Sequence, residues 1–403
     1  MNYLDRTSVA YAALGMSREL GFSDRVFGLG AGIFFISYVA LQIPGALLVE
    51  RWSARRMVAV TMVAWGLLTA LTALVRTPNQ LYLARFVLGA AEAGFFPGII
   101  VYLSHWFIQE DRAKATGKFM AAIPLSFMIG SPIAGWILGH KWFAIEGWRW
   151  LFVLEGAPAV FLGVAAYFFL TDWPREAGWL APEQREWIQQ RLEMEKSFGR
   201  RLITVGETLR SRTILLLALV AFLDYLVAYT IAFWLPTILK RQSGLSDVRV
   251  GLLGAVPYAV GLVAMLVNGW HSDHRHERRW HVTVPLMIAA SGLLALLIKP
   301  SPPSLMVVWF SMVCAVMAFH PAFWAIPTEI LSESSAAVAV GMINGVASVG
   351  GFAGPYAFGY LNSRTGSFTY GFALLMVSAF ASGILILLTP GARPHASPEP
   401  LAS

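Results

Sequence analysis

The stretch LYLARFVLGAAEAGFFPGIIVYLSHW, Leu81 to Trp106, sets an arginine and a glutamate inside an otherwise apolar run. Its length and hydropathy read as a membrane-spanning helix. A charge at bilayer centre costs roughly 2.5–3.5 kcal/mol on insertion scales, so side chains such as Arg85 and Glu92 are kept there with a partner or a task. The two stand seven positions apart. At about 100° per residue they return to one helix face, about 10 Å apart along the axis. Gly89, Ala90, Ala93 and Gly94 lie between and beside them, small enough for another helix or a ligand to come close. Two readings stand: an ion pair that locks helices together, or an anion site beside a titratable carboxylate.

The rest of the chain has the same character. Of 403 residues, 57% are hydrophobic and only 13% charged, and long apolar runs recur from end to end. That composition excludes a soluble domain and predicts an all-α polytopic membrane protein. The net charge of +7 lies mostly in loops, a signature of membrane orientation and not of nucleic-acid binding. A single cysteine, Cys314, excludes an intrachain disulfide.

Spans are expected at 24–50, 57–75, 79–107, 114–139, 148–171, 212–239, 247–270, 282–299, 305–331, 336–361 and 368–389, after a partial one at 1–15. A full crossing takes about 20 residues, so the first helix reads as lacking its amino-terminal half. The opening residues MNYLDRTSVAYA also lack the apolar core of a signal peptide. Twelve spans put both ends on one side. Loops on that side hold eighteen of the thirty lysines and arginines against ten opposite, which places both termini in the cytoplasm. The organisation is then a six-helix bundle at 1–171, a cytoplasmic linker with an amphipathic helix at 172–211, a second six-helix bundle at 212–390 and a short disordered tail at 391–403.

The halves echo one another. GALLVERWSARR (45–56) and GWHSDHRHERR (269–279) each place a glycine, an acid (Glu50, Asp273) and an arginine pair (Arg55–Arg56, Arg278–Arg279) at a cytoplasmic turn. Parallel repeats about an axis along the membrane normal are a transporter architecture.

Further stretches make the pattern specific: YLDRTS (3–8), FFISYVALQIPG (34–45), ARFVLGAAEAGFFPG (84–98), GWRWLFVLEGAPA (147–159), FWLPTIL (233–239), FWAIPTEIL (323–331) and GMINGVASVGGFAGP (341–355). With these the chain resembles the major facilitator superfamily, in the anion:cation symporter branch that holds tartrate, phthalate and related organic-acid permeases. The resemblance implies two six-helix bundles rocking about a central site, and proton-coupled, sometimes sodium-coupled, uptake of a small organic anion. It implies a bacterial cytoplasmic (inner) membrane protein, a monomer, with no cofactor beyond the coupling ion. Ser8 stands where the family commonly has asparagine, and Glu50 and Ser53 stand where the wider superfamily prefers aspartate and glycine.

By that resemblance Asp5 and Arg6 are a protonatable carboxylate and an anion ligand, roles the chemistry suits, since a guanidinium offers a planar fork to a carboxylate. Arg85 joins Arg6 in substrate binding and Glu92 joins Asp5 in proton coupling. Tyr38, Tyr229, Trp324 and Asn344 are expected as pocket walls, with Trp234 a weaker candidate; packing between helices is the alternative for each. Asp224 reads as a further acid in a span, hydrated near the inner end, and His320 as a titratable or hydrogen-bonded histidine. Glu50, Arg51, Arg55, Asp273 and Arg278 are expected to gate by pinning helix ends. His271, His274, His276 and His281 belong to that gating turn more readily than to a metal site. The runner-up function is an aromatic-acid permease of the phthalate type, favoured if Trp234 and Trp324 face the cavity. A membrane enzyme or a transport-like sensor fits less well, because neither a catalytic cluster nor a signalling domain is legible.

Overall fold

The computed structural model describes residues 2–197, 211–298, 302–330 and 333–389. The expected tail at 391–403 and linker residues 198–210 lie outside them. The first half comprises α1 (Asn2–Leu20), α2 (Asp24–Arg51), α3 (Ala54–Thr72), α4 (Pro78–Glu92), α5 (Phe95–Trp106), α6 (Gln109–Leu138) and α7 (Gly147–Phe169). A surface helix, α8 (Pro182–Ser197), precedes the second half. That half comprises α9 (Arg212–Ser243), α10 (Asp247–Arg275), α11 (Arg279–Ile298), α12 (Pro303–Cys314), α13 (Phe319–Ile330), α14 (Glu333–Thr365) and α15 (Thr369–Leu385).

All eleven expected full spans are helical, with two corrections. The span expected at 79–107 breaks at Ala93–Gly94, immediately after Glu92, into α4 and α5. The one expected at 305–331 is interrupted by a 3-10 turn, Ala315–Ala318, between α12 and α13. These are the fourth spans of their respective halves, so the break obeys the internal repeat. Discontinuous helices at matching positions point to a transporter's binding region. The first helix, expected to end at 15, continues to Leu20.

Among the described residues, ten helical stretches are long and apolar enough to cross a bilayer unaided. Helix α1, carrying Asp5, Arg6, Arg18 and Glu19, is not one of them. It is nevertheless sheathed by its neighbours: residues Asp5 to Met16 are buried without interruption. Large apolar side chains such as Leu74, Leu83, Phe161, Phe169 and Val263 instead cover the outside. An apolar exterior of this extent is solvated by lipid tails.

Within the first half, α3 packs on α7 through Gly66 and Gly156; a Cβ on Gly66 would lie 2.7 Å from the Gly156 carbonyl oxygen. Between the halves, α2 packs on α14 and α6 on α10. Each is the second span of one half against the fifth span of the other, so exchanging the halves maps one contact onto its mate.

That symmetry extends to a repeat missed in the sequence reading. Arg-Glu-Leu-Gly-Phe-Ser-Asp (18–24) and Arg-Gln-Ser-Gly-Leu-Ser-Asp (241–247) coincide at arginine, glycine, serine and aspartate. Gly21 and Gly244 both turn the chain at φ +66°, a conformation that favours glycine. Ser23 and Ser246 both cap the following helix, accepting from Val26 N and Arg249 N. The charges then cross over. Arg18 binds Asp247 at 2.8 Å, while Arg241 grips Asp24 with two bonds of 2.5 and 2.6 Å. Lys240 joins Asp247 at 2.8 Å, and Asn362 donates to Asp24. The halves are thus latched by reciprocal ion pairs at one end, the end assigned to the outside by the charge bias.

Gly66→Val should wedge α3 from α7 and cost about 1–3 kcal/mol, the usual range for overpacking. The check is the thermal unfolding midpoint in detergent, expected to fall; an unchanged midpoint would show that the two backbones have slack.

Candidate functional site

Arg6 is the hub. Its Nε and Nη2 both reach Glu92 Oε2, at 3.1 and 2.9 Å, and its Nη1 donates to the Tyr229 hydroxyl at 3.2 Å. The guanidinium carbon also lies 4.8–4.9 Å from the centroids of Tyr3, Phe34 and Tyr38. Asn2 completes the setting by donating to the same Glu92 oxygen at 2.8 Å. Arg6 and Glu92 are only 3% and 0% exposed. Since Tyr229 sits on α9, this network crosses from one half to the other. An ion pair this dry survives because three π faces and a hydroxyl replace the hydration that the guanidinium lost; a desolvated cation–π contact reaches about 2 kcal/mol.

Arg85 and Glu92 lie on one buried stripe of α4 and each acts on the other's charge, without bonding directly. Glu92 is bound to Arg6, and Arg85 turns to α2, where its Nε donates to the Gly30 carbonyl at 3.4 Å. Its guanidinium lies 5.0 Å from the Phe34 ring and 5.9 Å from Phe233 across the interface. Both terminal nitrogens, Nη1 and Nη2, are buried without a hydrogen-bond partner. Unsatisfied donors on a 1% exposed cation are expensive, and a carboxylate is the ligand they fit.

Asp5 departs from expectation. It bonds neither Arg6 nor Glu92, although the Glu92 charge acts on it, and points into its own half, where Trp65 Nε1 donates to its Oδ2 at 2.9 Å. Successive helical residues diverge by about 100°, so the adjacent Asp5 and Arg6 serve different faces of α1.

The expected walls divide into two groups. Tyr38 lies under Arg6 and stacks on Phe34 at 5.7 Å, and Tyr229 bonds Arg6 directly. Asn344 accepts from Tyr225, a residue not singled out from sequence, at 3.2 Å. Tyr225 in turn meets Tyr229 edge-on at 5.4 Å and the His320 ring at 6.2 Å. Trp324 packs on Phe323 at 5.2 Å. Tyr225, His320, Trp324 and Asn344 are all half-buried, while Arg6, Arg85, Asp5 and Glu92 are sealed. A polar ladder therefore leads from Arg6 through Tyr229 and Tyr225 toward accessible surface. Trp234 is no pocket wall: it is 0% exposed, donates to the Pro355 carbonyl at 3.2 Å and sits among Phe27, Phe358 and Phe368. Asp224 is not hydrated either, being fully buried with neither carboxylate oxygen bonded.

At the opposite end from the latches, Arg55 and Arg278 each tie a helix-connecting turn to a neighbouring helix. Arg55 donates its backbone amide to Asp172 at 2.8 Å, and Ser53 donates to the same carboxylate at 2.6 Å, tying the α2–α3 turn to the end of α7. Arg278 bridges Asp273 at 2.5 Å and Glu329 at 2.7 Å, tying the α10–α11 turn to α13. Asp172 and Glu329 were missed, having no neighbour in sequence to mark them. The side chains of Glu50 and Arg51 lie outside the described residues. His281 bonds His271 at 2.6 Å and Glu277 at 2.9 Å, a local hydrogen-bond chain on the same turn.

Truncating Arg6 to alanine strands Glu92 in a dry interface, which for a buried pair costs about 3–5 kcal/mol. Arg6→Ala should therefore lower the unfolding midpoint, and adding Glu92→Gln should restore much of it. If the double variant melts no higher than the single one, the pair is not what holds this interface.

Comparison with known proteins agrees with this architecture. The Major Facilitator Superfamily pattern matches residues 1–355 and 217–403. A protein of Agrobacterium vitis, provisionally named a tartrate transporter, is 41% identical over 396 residues, covering 97% of this chain and 88% of the relative. A quinolone resistance transporter of Acinetobacter baumannii is 34% identical, covering 93% and 87%. Among solved structures, an inward-facing, occupied bacterial homologue of the lysosomal transporter Spinster superposes with a TM-score of 0.75 at 20% identity, covering 96% of this chain and 92% of that one. A D-xylose–proton symporter superposes equally well at 14% identity, covering 97% and 95%. Those two identities speak for the fold alone. With the pattern spanning its whole length, and relatives that are transporters rather than enzymes, this chain belongs to the Major Facilitator Superfamily.

Proposed function

We propose that the protein is a proton-coupled importer of a small organic anion, a dicarboxylate or hydroxy acid of the tartrate kind, acting as a monomer in a bacterial cytoplasmic membrane with both termini inside. The observation that carries this reading is the between-halves interface, where Glu92 neutralises Arg6 while the buried Arg85 keeps two donors free. A carboxylate substrate can replace Glu92 on Arg6 only if Glu92 is neutralised first, and the ion that can do so in a closed site is a proton. Anion and proton then bind together, which is the requirement for symport. The curated tartrate-named relative supports the choice of substrate class.

In this reading the latched end is the closed outer gate, and the half-buried ladder of Tyr225, His320 and Asn344 faces the cell interior. The latches suit a gate because they are weak. The arginine side of each pair is exposed and screened by water, so the latches are weaker than the sealed Arg6–Glu92 hub and open before it.

Two measurements test this. In proteoliposomes under an inward proton gradient, labelled tartrate, glucarate, galactonate and phthalate are offered in turn. Uptake of a hydroxy dicarboxylate is expected, with phthalate weaker because Trp234 is removed from the path; strong phthalate uptake would favour the aromatic-acid alternative. Arg85→Ala should reduce substrate binding at least tenfold, the effect of losing about 1.4 kcal/mol. Glu92→Gln should lose gradient-driven accumulation by more than it loses exchange. Full accumulation in Glu92→Gln removes the proton role from this residue.

The gate is tested by access. With Tyr38→Cys as a reporter in a Cys314→Ala background, neutralising the latch acids by Asp24→Asn and Asp247→Asn should speed labelling by an outside-added, membrane-impermeant maleimide severalfold. Equal labelling with and without the latches would show that the ion pairs do not hold this end shut.

A further inference from the structure

We propose that Glu155, on the support helix α7, is a second proton carrier that shares one proton with Asp5 as a carboxyl dyad inside the first half, off the substrate path. The inference rests on the proton-coupled reading above and extends it to a residue that reading does not use.

The placement follows from two independent contacts. Helices α1 and α7 run antiparallel, and Gly15 meets Trp148 so closely that a Cβ there would lie 2.6 Å from the indole. Moving seven positions along each helix, about two turns, returns to the same faces and sets Ser8 opposite Glu155, with Asp5 one turn beyond. The second contact comes through α3. Trp65 donates to Asp5, and the next residue, Gly66, packs backbone to backbone on Gly156, the neighbour of Glu155. Asp5 and Glu155 thus both face the junction of α1, α3 and α7, near enough for the Asp5 charge to act on Glu155.

Both acids are short of partners. Asp5 Oδ1 and Glu155 Oε2 are buried without a hydrogen bond, on side chains whose residues are 0% and 7% exposed. The groups around them are Ser8 and Tyr11 from α1, Trp65 and Thr69 from α3, and, beside Tyr11, Ser131 from α6. None of these side chains carries a positive charge; the amino-terminal ammonium acts on both acids from a distance and the Glu92 charge acts on Asp5, while Arg6, next to Asp5 in sequence, is committed to Glu92. Two like charges in so dry a place repel at close range, and each forfeits its hydration. One proton resolves both problems: it leaves a single charge, and it turns one carboxyl into a donor for the other's empty oxygen.

The step is simple in its balance. An O–H bond forms on the dyad as a proton arrives from the outer solution, and the same bond breaks as the proton leaves to the inner one. No other bond changes. Because Asp5 and Arg6 ride on one helix, movement of Arg6 from Glu92 toward an incoming anion also turns Asp5 against Trp65 and Glu155. The two proton stations are in that way coupled mechanically, as well as through the Glu92 charge that acts on Asp5.

The test is thermodynamic. Purified full-length protein in proteoliposomes, with the membrane potential clamped at zero, is allowed to accumulate labelled tartrate to a steady ratio at a fixed pH gradient. Each coupled proton multiplies that ratio by ten for every pH unit, the equivalent of about 1.4 kcal/mol. Glu155→Gln should lower the steady ratio tenfold per pH unit, since one proton fewer crosses with each anion. A residue that only packs would change the rate of approach and leave the ratio where it was, so an unchanged ratio overturns the proposal. Tartrate exchange in the same vesicles shows whether the variant is folded. Should Glu155→Gln fail that control, Glu155→Asp takes its place: it should keep the proton count while moving the pH midpoint of exchange, and an unmoved midpoint overturns the proposal equally. Wild-type protein that never accumulates tartrate against the gradient would refute the symport reading itself, a result distinct from either of these.

Discussion

The contact on which the rest of the structure depends is the fork from Arg6 to a single oxygen of Glu92, with Tyr229 closing the far side. A guanidinium that is 3% exposed in the middle of a membrane protein needs compensation from every direction, and here the aromatic faces of Phe34 and Tyr38 on α2 add to what three other helices bring. Helix α1 supplies the cation, α4 the anion and α9 the hydroxyl. The pair therefore does more than satisfy a charge. It fixes the amino-terminal helix, too polar to cross a bilayer on its own, against both halves at once. The break at Ala93–Gly94 follows directly after Glu92, so the carboxylate is presented at a helix end and not from the middle of a rigid rod.

Opposed to this tight centre is a loose periphery. The crossed pairs Arg18–Asp247 and Arg241–Asp24 join half-exposed arginines to nearly buried aspartates. Salt and water screen the exposed arginine side of such pairs, which leaves them weaker than the buried hub. The difference sets an order of events. Thermal motion and a modest change at the centre can open the latches, whereas the hub yields only when something replaces its charge balance. A carrier needs that ranking, because a gate stronger than its binding site would never open for the substrate.

How much of this was legible beforehand depends on periodicity. The apolar runs marked every full span, since a bilayer of fixed thickness imposes a length that composition alone reveals. Arg85 and Glu92 stood out because ionised groups in apolar runs are costly, and Asp5 and Arg6 because the stretch YLDRTS carries a family resemblance. Their pairing was not legible. Position along α4 puts Arg85 and Glu92 on one stripe, but which neighbour each turns to is decided by the packing of α1 and α2, information spread over the whole chain. Asp172, Glu329, Tyr225 and Glu155 were missed for the same reason: each gains meaning only from a partner far away in sequence. The repeat around Asp24 and Asp247 was in principle readable, since arginine, glycine, serine and aspartate recur at identical spacing. It was overlooked because its residues look like ordinary turn and cap chemistry until the arginines are seen to cross.

That crossing also bears on how such a molecule could arise and move. If each half bound its own aspartate, the turns would be stabilised locally and the halves would gain nothing from one another. Exchanging arginines makes two identical local motifs mutually dependent, so one latch lost weakens the geometry that supports the other. The same logic governs the centre, where neither half holds a complete site: Arg6 needs Tyr229, and Arg85 reaches toward Phe233. Two domains incomplete in the same way are held in register by the groups they lend each other. Rocking between them is then the natural motion, because it trades one set of shared contacts for another while each half keeps its own core intact.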